Sequence, residues 1–358
     1  MQRIISYDEI PNSDRTHSIY FRMETDPKLY MNLMSKGYKL INDIRKADEN
    51  TIYVTRKRQE LLCNRSFFKD ITSEEYVFEL KKRIQDSLEE KKIEKPQTTI
   101  FSYYDLIEHK YKIPFVLKNE NINRGKEKFL IATEEDYENL INACKYLLNR
   151  KIMDFNFIIT GNIEYNIDYD SYLNKNFTVQ EYIHTPSEFN TSVRLLTSSS
   201  KDLLYGCLKY NESSNYTDDR TLIEYLLHDI YPLSSKSIVS NTAKGGKNIV
   251  VGEKKYNCCE KMLLDRHKIN SDAFSSLVES AANVHEEYKS ELGIICGFDF
   301  IYDTQKEKWY WLELHDKPLV QDYAEKQGLE YKTSEERTTV DGRVRATALA
   351  LTLKKTRK

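Results

Sequence analysis

Two carboxylates and one imidazole lie close together in the sequence near residue 300. Asp299 ends an apolar strand, and Glu313 follows fourteen residues later on a second predicted strand, which Pro318 ends. If the turn between these strands falls near 304–308, the two carboxylates lie side by side. His315, two residues after Glu313, then lies on the same face of its strand.

Two buried carboxylates in contact repel each other, so either one is protonated or a cation lies between them. Mg²⁺ is the natural candidate, because this hard cation takes carboxylate oxygens together with substrate phosphates. The alternative is that Asp299 and Glu313 are salt-bridged residues on edge strands. Their spacing alone does not separate the metal site from the salt bridges.

Strands and helices alternate along the rest of the chain. Thr72 and Glu75 match a capping box, and apolar residues at every fourth position after it predict a helix that ends at Pro96. TSVRLLT and LLYGCLKY flank the polar SSSKD and predict a hairpin. Ser271 begins an amphipathic helix, and VRATALALTLKK predicts a last helix. The pattern indicates an α+β, or mixed α/β, fold with much antiparallel pairing.

The composition argues against several classes of protein. The 358 residues are 40% hydrophobic and 31% charged, as in globular proteins, and the net charge of −2 argues against a nucleic-acid partner. MQRIISYDEI lacks the apolar core of a signal peptide, and no apolar run is long enough to span a membrane, so we expect a cytoplasmic protein. Six scattered cysteines without a CxxC pair indicate reduced thiols rather than a zinc site.

A second group of polar residues follows an apolar strand in VQEYIHTPSEF, where Glu181 and Glu188 are seven residues apart. This segment resembles the hinge of the ATP-grasp superfamily, the ATP-dependent carboxylate–amine or carboxylate–thiol ligases. Within the superfamily, the chain resembles D-alanine–D-alanine ligase-like and ribosomal-protein glutamate ligase-like enzymes. The resemblance implies that the backbone of Glu181, Tyr182 and Ile183 contacts adenine. It also implies that the Glu188 carboxylate accepts hydrogen bonds from the ribose hydroxyls.

Other segments resemble the phosphate-binding parts of the same superfamily. IPFVLK is similar to the strand whose lysine, here Lys118, reaches the ATP phosphates. NENINRGKEKF stands where the family has its glycine-rich lid loop, although Gly125 is its only glycine. The helix before Pro96 implies a phosphate contact for Lys82, with Lys81 as a competitor. The alternative for both lysines is a solvated helix face.

Three further segments complete the resemblance in the correct order. Arg194 in SVRLL implies contact with the substrate carboxylate or its acyl phosphate, and Lys209 on the partner strand is placed to act similarly. SNTAKGGKN is similar to the family's N…GG segment, in which Asn241 holds phosphate or metal. GFDFIYDTQKEKWYWLELHDKP matches the ending D…E-x-N-x-x-P. His315 replaces the family asparagine, and an imidazole nitrogen suits Mn²⁺ or Zn²⁺ better than Mg²⁺. Asp316 is an alternative ligand.

The resemblance therefore predicts an ATP-grasp fold, in which two antiparallel sheets hold the nucleotide. We expect an N-terminal α/β lobe over 1–95, a lid subdomain over 96–178 and a C-terminal subdomain with the metal site over 179–358. The N-terminal lobe shows no clear resemblance, and the substrates depend on it.

The predicted activity is ATP-dependent formation of an amide or peptide bond through an acyl phosphate, with Mg²⁺ or Mn²⁺. We expect small-molecule, amino-acid or peptide carboxylates and amines as substrates. The oligomeric state stays open, with a homodimer as one candidate because dimers are common among similar ligases. Three alternatives stay open: an ATP-grasp kinase, a catalytically altered nucleotide-binding protein, and an aromatic-rich module that uses its 26 tyrosines to bind a peptide or nucleic acid.

Overall fold

The computed structural model describes residues 2–55, 73–119, 127–150, 157–158, 164–165, 177–185, 190–211, 222–234, 247–252, 257–315, 321–330 and 332–356. The strands are β1 (Ser18–Tyr20), β2 (Lys39–Ile41), β3 (Thr51–Tyr53), β4 (Thr98–Phe101), β5 (Phe115–Asn119), β6 (Lys128–Ile131), β7 (Phe157–Ile158), β8 (Glu164–Tyr165), β9 (Phe177–Glu181), β10 (Asn190–Ser198), β11 (Leu203–Asn211), β12 (Lys247–Val251), β13 (Ile295–Asp303) and β14 (Lys308–His315). The α-helices are α1 (Pro27–Ser35), α2 (Ser73–Glu90), α3 (Tyr103–Glu108), α4 (Glu134–Arg150), α5 (Leu222–Tyr225), α6 (Asn257–Arg266), α7 (Ser271–Glu287), α8 (Lys289–Leu292), α9 (Gln321–Lys326) and α10 (Ser334–Thr356). Among the described helices, none combines the length and the apolar composition that crossing a membrane requires.

A five-stranded antiparallel sheet, in the order β12-β11-β10-β13-β14, lies at the centre of the protein. Both predicted hairpins are confirmed, because β10 pairs with β11 and β13 pairs with β14. Each hairpin is joined by a short polar turn, and β10 and β13 lie next to each other. The sheet therefore brings residues from two distant hairpins together.

Apolar cores cover both faces of this sheet. On one face, Val193 and Leu195 of β10 pack in the same core as Leu80 and Ile84 of α2 and apolar residues of α7. On the other face, Leu196 packs in a core with α1 and α10, together with the parallel sheet β2-β1-β3. Successive side chains of a strand point to opposite faces, so the alternation of the sequence decides which core each residue joins.

A second antiparallel sheet, in the order β4-β9-β5-β6, has one apolar face. Phe115, Leu117 and Phe177 on that face pack against buried residues of α4. The residues between them in sequence, including Lys118, point to the opposite face. The predicted division at 178/179 passes through β9, and α2 packs against the five-stranded sheet although it precedes residue 96. We keep the three predicted domain ranges as a proposal.

The last helix is longer than the sequence pattern predicted. VRATALALTLKK predicted a helix from residue 344, whereas α10 begins at Ser334. The first turns of α10 are polar and have no apolar stripe, so periodicity did not reveal them. A capping box did mark the start: the Glu336 carboxylate accepts from the Thr333 backbone N–H, and the Thr333 hydroxyl accepts from the Glu336 N–H.

Gly342 lets α10 pack closely against the start of α1. A Cβ atom at this position would overlap the Asp26 carboxylate and the Tyr7 hydroxyl. That carboxylate caps α1 by accepting from the Leu29 N–H at 3.0 Å, and it accepts from the Tyr7 hydroxyl at 3.0 Å. The contact therefore depends on the missing side chain.

We expect Gly342→Ala to lower the free energy of unfolding by about 2 kcal/mol or more, because overpacking and loss of a helix cap outweigh a gain in helix propensity of at most about 1 kcal/mol. Urea denaturation measures this change. Thr338→Ala, at an exposed position of the same helix, is the matched control and should change stability by less than about 0.5 kcal/mol. Stabilisation by Gly342→Ala would contradict the packing argument.

Candidate active site

A cluster of charged side chains lies on one face of the five-stranded sheet. Arg194 is opposite Asp299 in the β10–β13 pair, and Asp299 is opposite Glu313 in the β13–β14 pair. The predicted side-by-side placement of the two carboxylates is confirmed. His315 is opposite Gly297, one step further along the same face. The cluster faces the same side of the sheet as Leu196, away from the core that contains α2.

A β-bulge places Glu313 on this face. Phe300 pairs with Trp311, and Asp299 pairs with Glu313, so Leu312 is the extra residue of the bulge. Trp311 belongs to the core on the opposite face. In a regular strand, residues two apart point the same way, and Glu313 would then share the face of Trp311. The extra residue reverses the alternation and turns the carboxylate towards Asp299.

Arg194 binds both oxygens of the Asp299 carboxylate. Its Nε donates to Oδ1 at 2.6 Å, and its Nη2 donates to Oδ2 at 2.5 Å. The same Nη2 lies 2.6 Å from His315 Nε2, which is 2.9 Å from Asp299 Oδ2. Lys209 Nζ, on β11, is 3.8 Å from Asp299 Oδ2. The arginine and aspartate side chains are 16% and 14% exposed, so this forked ion pair is largely shielded from water.

The charges around Asp299 control its ionisation. Burial acts to raise the pKa of this carboxyl group, but the positive charges of Lys209 and Arg194 and the hydrogen bonds from Arg194 hold it well below 3.8. Burial acts to lower the pKa of the Arg194 guanidinium, and the Asp299 carboxylate raises it above its ordinary value. Asp299 is therefore an anion and Arg194 a cation at neutral pH.

The donor set of the cluster fits a divalent cation. One ligand atom each from Asp299, Glu313 and His315 lies within 4.8 Å of the others. Glu313 Oε2 is 3.7 Å from His315 Nε2, and the Glu313 side chain is 60% exposed, so its carboxylate reaches the open side of the cluster. Two carboxylates and one imidazole suit Mg²⁺ or Mn²⁺, and the imidazole favours Mn²⁺. Occupation by metal remains a prediction.

The predicted adenine hinge connects the two antiparallel sheets. Glu181 ends β9, and its backbone N–H donates to the Gln97 carbonyl at 2.8 Å. The carbonyl of His184 accepts from the backbone N–H of Thr304 at 2.8 Å and from its hydroxyl at 2.9 Å. Ile183 is 4% exposed. The hinge is thus fastened to the turn that joins β13 to β14, the two strands that carry the candidate metal ligands.

Lys306 is a residue of this region that the sequence motifs did not indicate. Its Nζ donates to the Glu181 carboxylate at 2.5 Å and to the Tyr310 hydroxyl at 3.1 Å. The hydrogen bonds to Glu181 and Tyr310 raise the pKa of the lysine. The sequence pattern predicts only a turn for TQKEK. No spacing rule links Lys306 to Glu181, which is 125 residues away.

Lys118 lies on the face of the second sheet that points away from α4. Lys128 is opposite it on β6, and Thr178 is opposite it on β9. Two like charges directly opposite each other destabilise a sheet, but two neighbouring positive charges favour the binding of an anion. The predicted phosphate contact of Lys118 remains a prediction, and Lys128 is the added neighbour.

Lys82 and Tyr182 are predicted site residues that the structure describes outside the charged cluster. Lys82 is exposed on α2, as Lys81 is, and α2 packs on the sheet face opposite to Arg194. Its phosphate contact stays a prediction. Tyr182 is half-buried in the hinge, and burial raises the pKa of its hydroxyl. The remaining predicted positions lie outside the described residues, namely Gly125, Glu188, Asn241, Asp316 and Pro318.

Comparison with known proteins gives structural matches alone. No family model and no curated protein matches the chain. VanG D-Ala:D-Ser ligase from Enterococcus faecalis is 11% identical over 92% of this chain and 71% of its own, with a TM-score of 0.39. D-alanine–D-alanine ligase from Bacillus anthracis complexed with ATP is 10% identical over 97% and 82%, with a TM-score of 0.37. The ATP-grasp ligase PsnB is 8% identical over 83% of this chain and 62% of its own, with a TM-score of 0.35.

The prediction of an α+β fold is confirmed, because helices combine with two antiparallel sheets. TM-scores below 0.4 mean a loose superposition. The description of the charged cluster rests on its own contacts.

Because the pKa of Asp299 is lowered in the folded protein, its contribution to the free energy of unfolding should depend on pH. A carboxyl group with a lowered pKa in the folded state stabilises the protein above its unfolded-state pKa of about 3.9. This contribution is lost as the pH falls from about 4 through the lower folded-state pKa. Asp299→Asn also leaves the Arg194 cation buried without its partner.

We therefore expect Asp299→Asn to lower the free energy of unfolding by about 3 kcal/mol at pH 7. The difference from the unmodified protein should shrink below about pH 4, and urea denaturation across pH 3 to 7 measures it. Asp86→Asn, the same change at an exposed position of α2, is the control and should have a small effect. A difference that is constant down to pH 3 would refute the assigned ionisation of Asp299.

Proposed function

We propose that the protein is a cytoplasmic ATP-dependent ligase that forms an amide or peptide bond and releases ADP and phosphate. One observation carries this proposal: Asp299, Glu313 and His315 form a compact set of metal-ligand types, with Arg194 and Lys209 beside it. Activation of a carboxylate by ATP needs a metal ion that binds the nucleotide phosphates and further positive charges that bind the substrate carboxylate.

The proposed reaction has two steps. A carboxylate oxygen of the substrate attacks the γ-phosphorus of ATP, the bond to the β,γ-bridging oxygen breaks, and ADP leaves. An amine then attacks the carbonyl carbon of the acyl phosphate. The C–O bond to phosphate breaks, the amine loses a proton, and inorganic phosphate leaves. No side chain has to form a covalent intermediate, because positioning and charge stabilisation supply the catalysis.

Each residue of the cluster has a proposed role. A divalent cation held by Asp299, Glu313 and His315 would neutralise phosphate charge when bound. Arg194 and Lys209 would hold the substrate carboxylate and the acyl phosphate that replaces it. Their position on neighbouring strands beside the metal ligands supports this assignment.

The nucleotide would lie between the two sheets. We assign adenine to the backbone of Glu181, Tyr182 and Ile183, and the ATP phosphates to Lys118. The hydrogen bonds that fasten the hinge to the β13–β14 turn support this arrangement, because they attach the proposed base site to the hairpin that carries the proposed metal ligands. Four further residues keep the roles that the family resemblance implies: Lys82, Gly125, Glu188 and Asn241.

The substrate class proposed is an amino acid, a peptide or a protein side chain, selected by the N-terminal lobe. We also propose a homodimer.

The rival function, a nucleotide-binding protein without turnover, is favoured by one observation: the Arg194 guanidinium already pairs with two of the three candidate metal ligands. A kinase is the other rival, because it would share the ATP site and transfer phosphate to a hydroxyl group.

Hydroxylamine separates the ligase from both rivals. We expect incubation with ATP, Mg²⁺ or Mn²⁺, hydroxylamine and a panel of amino acids and peptides to give a hydroxamate and an equal amount of ADP. Hydroxylamine traps an acyl phosphate as a hydroxamate, so mass spectrometry identifies the substrate. ADP without hydroxamate would indicate a kinase, and AMP with pyrophosphate would exclude the acyl-phosphate route.

Glu313→Ala tests the metal assignment. We expect turnover to fall at least about a hundredfold, because a proposed metal ligand is removed. Since the side chain is 60% exposed, folding should change little, and circular dichroism checks this. Glu279→Ala, an exposed glutamate on α7, is the matched control and should keep full turnover. Full activity of Glu313→Ala would exclude Glu313 as a metal ligand.

A further inference from the structure

Arg194 occupies the space that the candidate metal ligands share. Its Nη2 lies 2.5 Å from Asp299 Oδ2 and 2.6 Å from His315 Nε2, and those two atoms are 2.9 Å apart. Neighbouring ligands of an octahedral Mg²⁺ at about 2.1 Å are separated by about 3 Å. The two atoms are therefore already at a ligand–ligand spacing, with a cationic nitrogen between them.

The hydrogen bonds also present His315 in a metal-binding form. A guanidinium nitrogen only donates, so the contact with Nη2 requires a lone pair on His315 Nε2. In that tautomer Nε2 and Asp299 Oδ2 are both acceptors, and their close approach needs a cation between them. Arg194 meets this need. A metal ion would use the same two lone pairs.

A divalent cation and the forked pair of hydrogen bonds from Arg194 to Asp299, here called the Arg194 fork, exclude each other at this position. The fork uses both oxygens of Asp299, whereas a metal needs at least one of them at about 2.1 Å. A metal ion in contact with the guanidinium would also suffer strong repulsion between like charges, which the largely buried site does little to screen.

We propose that Arg194 competes with the divalent cation for Asp299 and His315, so that metal binding displaces the guanidinium. This inference rests on the metal site of the proposed function. The displaced guanidinium, next to Lys209, becomes available to bind an anion of the carboxylate or acyl-phosphate class. Metal loading thus precedes and permits binding of the substrate carboxylate, and the order of substrate addition is built into the cluster.

Binding of Mn²⁺ alone to the full-length protein tests the competition. The electron paramagnetic resonance signal of free Mn²⁺ gives the affinity without any turnover. We expect Arg194→Gln to bind Mn²⁺ about tenfold more tightly than the unmodified protein, because the metal no longer has to break a charge-assisted forked hydrogen bond. Equal or weaker binding by Arg194→Gln would overturn the proposal.

Lys209→Gln is the matched control, because it removes one positive charge 3.8 Å from Asp299 and leaves the fork intact. We expect it to tighten Mn²⁺ binding much less than Arg194→Gln does. Equal effects of the two variants would show that general electrostatics, and not displacement of Arg194, governs the affinity.

Glu313→Gln separates this proposal from the proposed function. If Glu313→Gln weakens Mn²⁺ binding and Arg194→Gln does not strengthen it, the metal site stands and the competition is wrong. If Glu313→Gln leaves Mn²⁺ binding unchanged, the metal does not bind at the cluster, and both the metal assignment and the competition are wrong.

A measurement on the unmodified protein covers the case in which Arg194→Gln fails to fold. Phenylglyoxal modifies free guanidinium groups, and peptide mass spectrometry reports the rate at Arg194. We expect saturating Mn²⁺ to raise that rate severalfold relative to NaCl of equal ionic strength, because the guanidinium has left Asp299. Arg337, an exposed residue on α10, serves as the internal control. An unchanged or lower rate at Arg194 contradicts displacement.

Discussion

The buried Asp299 carboxylate imposes the constraint on which the candidate site depends. An anion that is largely removed from water must be compensated, and Asp299 is compensated by the forked ion pair with Arg194 and by Lys209. These partners lie on β10 and β11, the two strands that follow one another beside β13. Their register therefore has to be maintained for the charge to remain buried, and the two apolar cores on either side of the sheet maintain it.

On the same sheet, successive side chains of each strand alternate between the core beneath α2 and α7 and the face that carries the charged cluster. Val193, Leu195 and Phe300 point into the core beneath α2 and α7, while Arg194 and Asp299 point to the other face. The bulge at Leu312 adds Glu313 to the charged face without removing Trp311 from the core. A single extra residue thus decides whether the cluster has two carboxylates or one.

The connection between the two sheets gives the proposed nucleotide site its frame. Backbone hydrogen bonds fasten Glu181 to Gln97 and His184 to Thr304, so the hinge lies against the β13–β14 turn. In this arrangement the predicted adenine contacts and the predicted metal ligands belong to one connected structure.

The sequence by itself determined the elements and the ligand types. Period-two and period-four apolar patterns predicted both hairpins and α2, and the spacing of Asp299 and Glu313 predicted adjacent carboxylates, because these signals are local. Tertiary structure alone decided that Arg194 fills the space between the ligands and that Lys306 holds Glu181. Those contacts join residues 105 to 125 positions apart, and side-chain position on a sheet depends on register and bulges that local sequence patterns do not encode.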